Sequence, residues 1–263
     1  MKNSIYALIA IVTLGSCQKD VDIDLNSANP NIVIEANYTS EDSTVAVRIT
    51  KTVNYFGSNV APTVDDASVT ITDHNGISQT VPFSSNGDYI LVNYIPEFNT
   101  FYTLSVVSEG ELYTAQCKLS SSVQVDVPTY EWNPGLFGSD PGFRVFMNFL
   151  DPADTVNFYN ALLTINGEEF DRLNEGWIQD DLLTDGNYLS RPLWGGPEID
   201  SLDTVSIELR AIDDFMYDYI NAAGGIVGGS TSAAPGNPTS NWDNGALGYF
   251  SAYSATRAEV ILP

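Results

Sequence analysis

Apolar side chains recur at every second residue along much of this chain, in short runs cut by turn-forming residues. Ile32, Ile34, Ala36 and Tyr38 alternate with other residues, as do Val45, Val47 and Ile49. Val69 and Ile71 follow, then Tyr102, Leu104 and Val106, then Tyr113 through Leu119. Alternation places one set of side chains on a single face of a strand, so each run can bury half of itself. Between the runs stand Asp73-His74-Asn75-Gly76, Ser85-Asn86-Gly87 and Ser108-Glu109-Gly110. Such residues suit the tight turns of hairpins. Short strands with turn signals every roughly 8–12 residues indicate two sheets packed face to face. Residues 30–125 are expected to form an immunoglobulin-like β-sandwich of about seven strands.

Val127-Pro128 breaks the pattern, and Trp132-Asn133-Pro134-Gly135 and Ser139-Asp140-Pro141-Gly142 look like loops. Alternation resumes at Phe143, Val145, Met147 and Phe149, and again at Val205, Ile207, Leu209 and Ala211. Asn157 to Ile165 is a further candidate strand, whereas 167–200 carries few regular signals. One helix is expected near 213–223. Asp213 or Asp214 would cap it, Phe215, Met216, Tyr219 and Ile220 would form its packing face, and Gly224-Gly225 would end it. The fold class is therefore mostly β, with a C-terminal β-rich domain over 128–263 that carries the short helix.

The first seventeen residues point to an address. Lys2 gives a positive start, and Ile5 to Leu14 is an apolar run of about ten residues. That length suits a signal peptide and is too short to span a bilayer. Leu14-Gly15-Ser16-Cys17 follows and resembles the bacterial lipobox, which implies cleavage after residue 16 and lipid attachment at Cys17. An ordinary secretory leader is the rival reading. We expect 1–16 to be a lipoprotein signal peptide and 17–29 a lipidated acidic tether, held to outer-membrane lipid through Cys17. Gln18, Lys19, Asp20 and Asp22 behind the cysteine resemble the export signal of Bacteroidota surface lipoproteins, which implies the outward-facing leaflet.

Charge narrows the partners. Acidic residues number 34 against 10 basic, for a net charge of −24. Such a field repels nucleic acid and anionic headgroups, so no nucleic-acid partner is expected. The acids either keep a secreted chain soluble or form a recognition surface. His74 is the single histidine, which argues against zinc sites of several imidazoles and against a Ser-His-Asp triad. No phosphate loop or nucleophile elbow is present. No cofactor or metal is expected. Asp180, Asp181 and Asp185 could form a calcium-stabilised loop but miss the EF-hand spacing. Carboxylates are so abundant that a glycosidase-like pair stays open, with no pair distinguished. If Cys17 is lipidated, Cys117 has no disulfide partner within the chain, and its alternation with Tyr113, Ala115 and Leu119 marks a small buried hydrophobe.

Two further sets of residues are candidates. Trp132, Trp177, Trp194 and Trp242 stand in loop-like contexts near Gly or Pro, where aromatics either grip ligands or plug the ends of a sandwich. Asp42-Ser43-Thr44, Asp154-Thr155-Val156 and Asp203-Thr204-Val205 resemble a Bacteroidota O-glycosylation pattern, which would place sugars on Ser43, Thr155 and Thr204.

The C-terminal segment is the most recognisable. Asn237-Pro238-Thr239-Ser240-Asn241 and Asn244-Gly245-Ala246-Leu247-Gly248-Tyr249-Phe250-Ser251-Ala252-Tyr253-Ser254 resemble the closing motif of a Bacteroidota family named only as domain of unknown function 4249. The leader, the strand Ala67 to Asp73, and Asp151 followed by Phe158-Tyr159 fit its layout. Trp242 departs from it, standing where an aliphatic residue is common. The resemblance implies a surface lipoprotein of mostly β structure, often encoded beside TonB-dependent receptors of the SusC type, with no catalytic residues to carry over. The expected function is a non-enzymatic accessory or substrate-capture partner of an outer-membrane β-barrel transporter. A free-standing glycan- or peptide-binding module is the second reading, and a carboxylate-pair hydrolase the third. The closing motif itself reads as architecture, because Gly and aromatic residues at strand spacing usually pack.

Overall fold

The computed structural model describes residues 30–53, 60–135, 141–170, 177–193, 199–227 and 238–263. In chain order the strands are β1 (Ile32–Thr39), β2 (Thr44–Lys51), β3 (Ser68–Thr72), β4 (Ser78–Thr80), β5 (Phe83–Ser85), β6 (Asp88–Leu91), β7 (Thr100–Ser108) and β8 (Glu111–Leu119). They continue with β9 (Val125–Asn133), β10 (Gly142–Leu150), β11 (Phe158–Ile165), β12 (Glu168–Phe170), β13 (Trp177–Asp180), β14 (Tyr188–Pro192) and β15 (Thr204–Ile212). The helix α1 (Asp214–Val227) and the strand β16 (Leu247–Ile261) complete the chain. The fold is mostly β.

Two hydrophobic cores form, each between two sheets. In the first, the inward residues of β1 and β2 meet those of β3, β7 and β8, with Ile34, Tyr38, Ile49, Ile71 and Leu104 fully enclosed. In the second, β10 faces β11 and β15 around Val145, Met147, Phe149, Tyr159 and Ile207. The expected turns are present. Asn86 and Gly87 both take positive φ between β5 and β6, as do Glu109 and Gly110 between β7 and β8. Asp73 caps its own turn, accepting from the backbone N–H groups of Asn75 and Ile77.

The boundary between the cores differs from the expectation in three ways. Leu119 still belongs to the first core, and Val123 already belongs to the second. Val127-Pro128 does not break the chain's strand pattern, because β9 runs through it. That strand lies at the edge of its sheet, where a missing N–H is tolerated, and its ladder with β10 shifts register opposite Pro128. Third, β16 belongs to both cores. Its first half, Leu247–Tyr253, pairs in parallel with β1, and its second half pairs antiparallel with β15. Phe250 and Ala252 thus lie in the first core while Ala258 and Val260 pack on the second. The region 167–200 is also more regular than it looks, holding β12, β13 and β14.

The segment entering β16 closes the first sandwich. Asn241 accepts from the Phe250 N–H and donates to its carbonyl. Asp243 accepts from Thr114 N–H on β8 at 2.6 Å, and Asn244 donates to Leu112 O. Gly248 sits at φ +95°, and a Cβ there would lie 2.2 Å from the Ile34 carbonyl oxygen. No side chain fits that approach.

The helix runs to Val227, straight through Gly224-Gly225, which does not end it as expected. Asp213 is its cap and accepts from Met216 N–H. Its second oxygen accepts from Lys118 N–H on β8, so one buried carboxylate ties the helix start to the first sandwich. Burial pushes its pKa up to about 6, against the pull of those N–H donors. The neighbouring Cys117 thiol is pushed well up by burial and then by Asp213, so it stays an inert core residue.

Gly248→Ala should lose at least about 3 kcal/mol in urea unfolding, whereas Gly245→Ala, at φ +75° with open space around it, should lose about 1 kcal/mol. Equal costs would refute the close approach. Asp213 is held above its unfolded pKa, so its contribution is fully present below about pH 4 and is lost as pH rises through about 6. Wild type should therefore gain roughly 2–3 kcal/mol over Asp213→Asn between pH 7 and pH 4. Parallel pH profiles for the two proteins would contradict this.

Candidate functional site

The structure scatters the sequence-derived candidates. Cys17, Gln18, Lys19, Asp20, Asp22 and Trp194 lie outside the described residues. Trp242 is 5% exposed within the first core and donates from Nε1 to Ile34 O at 3.0 Å, so it fills the sandwich and faces no ligand. Trp132 and Trp177 stand on strands, not in loops. Trp132 is exposed on β9 with its ring 5.1 Å from that of Phe143. Trp177 opens β13 and packs on the second core against Phe149. These three do not form one site. Ser43 lies in the β1–β2 turn at φ +53°, Thr155 is exposed in a bend, and Thr204 starts β15 with its N–H donating to Asn166.

The acids gather differently from the expected trio. Asp151, Asp181 and Asp185 bring carboxylate oxygens within 4.8 Å of one another. Asp180 is not among them and instead reaches Tyr217 OH at 3.4 Å. Asp151 and Asp181 are buried, so each needs donors. Tyr159 OH donates to Asp151, whose other oxygen accepts from Gly186 N–H at 3.0 Å. Asp181 accepts from Asn157 N–H at 2.8 Å. Burial, and then Asp151, raise the Tyr159 phenol far above its usual range, so it remains the proton donor in this pair. Calcium takes six to eight oxygens, and two of these three carboxylates are already committed to internal donors. Their chemistry here is to hold a turn. Backbone bonds complete it: Thr184 and Asp185 N–H donate to Asp181 O, and Asn187 N–H to Thr184 O. The turn's tip is Leu182 and Leu183, 81% and 90% exposed.

A second feature lies where β16 passes from one sandwich to the other. A cleft of about 360 Å³ is lined by Thr39, Glu41 and Asp42 from the first sandwich and by Glu208, Arg210 and Arg257 from the second. Arg257 reaches Glu208 and Glu41, each at 2.5 Å, and Arg210 binds Glu208 while its guanidinium lies 4.6 Å from the Tyr253 ring centroid. Burial opposes the Glu208 charge, but the two arginines outweigh it and hold its carboxyl below the usual range. The cleft's charges largely answer one another, so it acts first as a clamp between the sandwiches.

A family model described as Domain of unknown function (DUF4249) matches residues 18–259. The chain belongs to this family. Among solved structures, it is similar to a chain of a cytokine receptor complex, at 13% identity and a TM-score of 0.29 over 86% of this chain and 94% of that one. It is also similar to a segment of two fibronectin type-III domains from chicken tenascin, at 13% identity and a TM-score of 0.23 over 70% and 91% of the two chains. No curated protein sequence matches.

Two stretches that carry the DUF4249 resemblance have clear physical work in this chain. The closing motif zips β1, β8 and β16 together, and Asp151 with Tyr159 anchors the 181–187 turn. Asp151→Ala should leave the Tyr159 hydroxyl and Gly186 N–H without their acceptor and cost about 3 kcal/mol. The double variant Asp151→Ala with Tyr159→Phe should cost clearly less than the sum of the singles. Additive costs in urea unfolding would show that the pair does not act together.

Proposed function

We propose that this DUF4249 chain is a surface-exposed lipoprotein of a bacterial outer membrane that serves, without catalysis, as an accessory or substrate-capture partner of a β-barrel transporter. The observation that carries this is the leader: a short apolar run, then Leu14-Gly15-Ser16-Cys17, then Gln18-Lys19 and acids. A diacylglycerol on Cys17 gives membrane attachment that no single acyl chain matches. The attachment we propose is the lipid on Cys17; among the described residues no helix is long and apolar enough to cross a membrane. The transporter partnership rests on what the family resemblance implies.

A free-standing binding module is the alternative. Among the described tryptophans, Trp242 is core, and Trp132 and Trp177 stand apart, so these three offer it no single site. The cleft at Glu208 and Arg257 is the feature that favours it, because ligand sites prefer domain junctions and the cleft's size is in the usual range.

The test is a mild-detergent pull-down of the tagged full chain from native outer membranes, with Cys17→Ala as control. Wild type should carry labelled acyl chains and recover one stoichiometric barrel protein, and the variant should do neither. Recovery of the lipidated chain alone would overturn the transporter reading and favour the binding module.

A further inference from the structure

The geometry points to Leu182 and Leu183 as a docking tip that enters an apolar pocket ringed by Lys and Arg on the chain's protein partner. This rests on the reading of an outer-membrane partner and says where and how that partner is gripped.

Two adjacent leucines at 81% and 90% exposure are costly to hold in water. A floppy loop could fold them back, but this turn is tied from beneath. Asp151 and Asp181 take hydrogen bonds from Tyr159, Gly186 and Asn157, and three backbone bonds close the turn itself. The segments stapled by these acids present more apolar surface. Leu150 and Tyr188 are register partners and both exposed, and Val156 is 74% exposed beside Asn157. A preorganised apolar projection of this kind binds with little ordering cost.

Charge selects the occupant. Asp154 and Asp185 are exposed around the tip, and Asp180 is half-buried. The full chain holds 34 acids against 10 bases. A second copy would bring the same acids, the chain's own segment 18–29 adds Asp20, Asp22 and Asp24, and anionic headgroups repel all of them. A basic-rimmed protein pocket satisfies both the leucines and the acids. Register gives a further reason. Phe158, Asp180 and Ile212 lie in one row, and Ala211 faces Ser254, so the tip is level with the waist between the sandwiches, with β11 and β15 between it and β16. The chain enters at Ile32, the far end of β1, whose Thr39 pairs with Tyr253 at that waist. The tip is thus about 25 Å along the sandwich from the tethered end, given the rise of eight strand residues.

The experiment uses the lipidated full chain in native outer membranes. Leu182→Ser with Leu183→Ser should recover at least about tenfold less barrel than wild type, while Leu202→Ser, another exposed leucine at 77%, should recover as much as wild type. All three should melt within ~2 °C of one another, since the sites are exposed. A photo-crosslinking residue at Leu183 should mark the barrel on a peptide carrying Lys or Arg. Barrel recovery undiminished in the double variant, or crosslinks to lipid or to a second copy, would overturn the tip assignment and leave the transporter reading standing. A wild-type sample with no barrel would bring down both.

Discussion

The strand β16 is the constraint on which the rest of the molecule depends. Fifteen residues long, it gives its first half to β1 and its second half to β15. Neither sandwich is complete without it, and the two cannot separate while it stays paired. The parallel partnership with β1 joins the first described strand to the last, more than two hundred residues apart, as the Trp242 bond to Ile34 does. Closing so long a loop costs little more than closing one of half the length, about 0.6 kcal/mol per doubling. The topology is therefore thermodynamically sound, though contacts this distant in sequence form slowly.

Polar side chains do the joining where sheet ladders cannot run. Asn241 and Asp243 lace the segment before β16 to β16 itself and to β8. Asp213 caps the helix and holds Lys118 of the first sandwich, while Asp151 and Asp181 hold the 181–187 turn. Each accepts backbone N–H groups, and a carboxylate does this more strongly than a neutral acceptor. Part of the chain's acidity is thus internal scaffolding, not surface. The electrostatic cost shows at Asp213, whose burial drives its pKa towards neutrality.

Strands with clean alternation were legible from the sequence. Ile32 to Tyr38, Val45 to Ile49 and Val205 to Ala211 all run as the two-residue rhythm demands. Alternation reports one strand and its buried face; it does not name the neighbour. Nothing local distinguishes a strand that serves one core from one that serves two, so the role of β16 was hidden. Pro128 misled because proline is excluded from the middle of a sheet but not from its edge, and edge position is a tertiary property. Gly224-Gly225 misled for a related reason: glycine permits a helix end without compelling one. The acid bay was partly legible. Asp181 and Asp185 are neighbours in sequence, but Asp151 joins them only through the pairing of β10 with β14, which places Leu150 opposite Tyr188. Trp132 and Trp177 misled because proximity to Gly or Pro marks punctuation in sequence, yet β9 runs through Pro128 and ends only at Asn133, beside Pro134.

An acidic chain with an apolar tip poses a recognition problem that its own charge resolves. Apolar projections alone invite any greasy surface, including another copy of the same protein. Here a net charge of −24 opposes the approach of a second copy and of anionic membranes, so the proposed apolar contact favours a surface that also supplies countercharge. Salt weakens the charge term while leaving the apolar term nearly intact, so the two contributions are separable in principle. Specificity then lies in the acids and affinity in the leucines. The buried carboxylates of Asp151 and Asp181 serve both in this proposal, because the hydrogen bonds they accept fix where the leucines stand relative to the exposed acids.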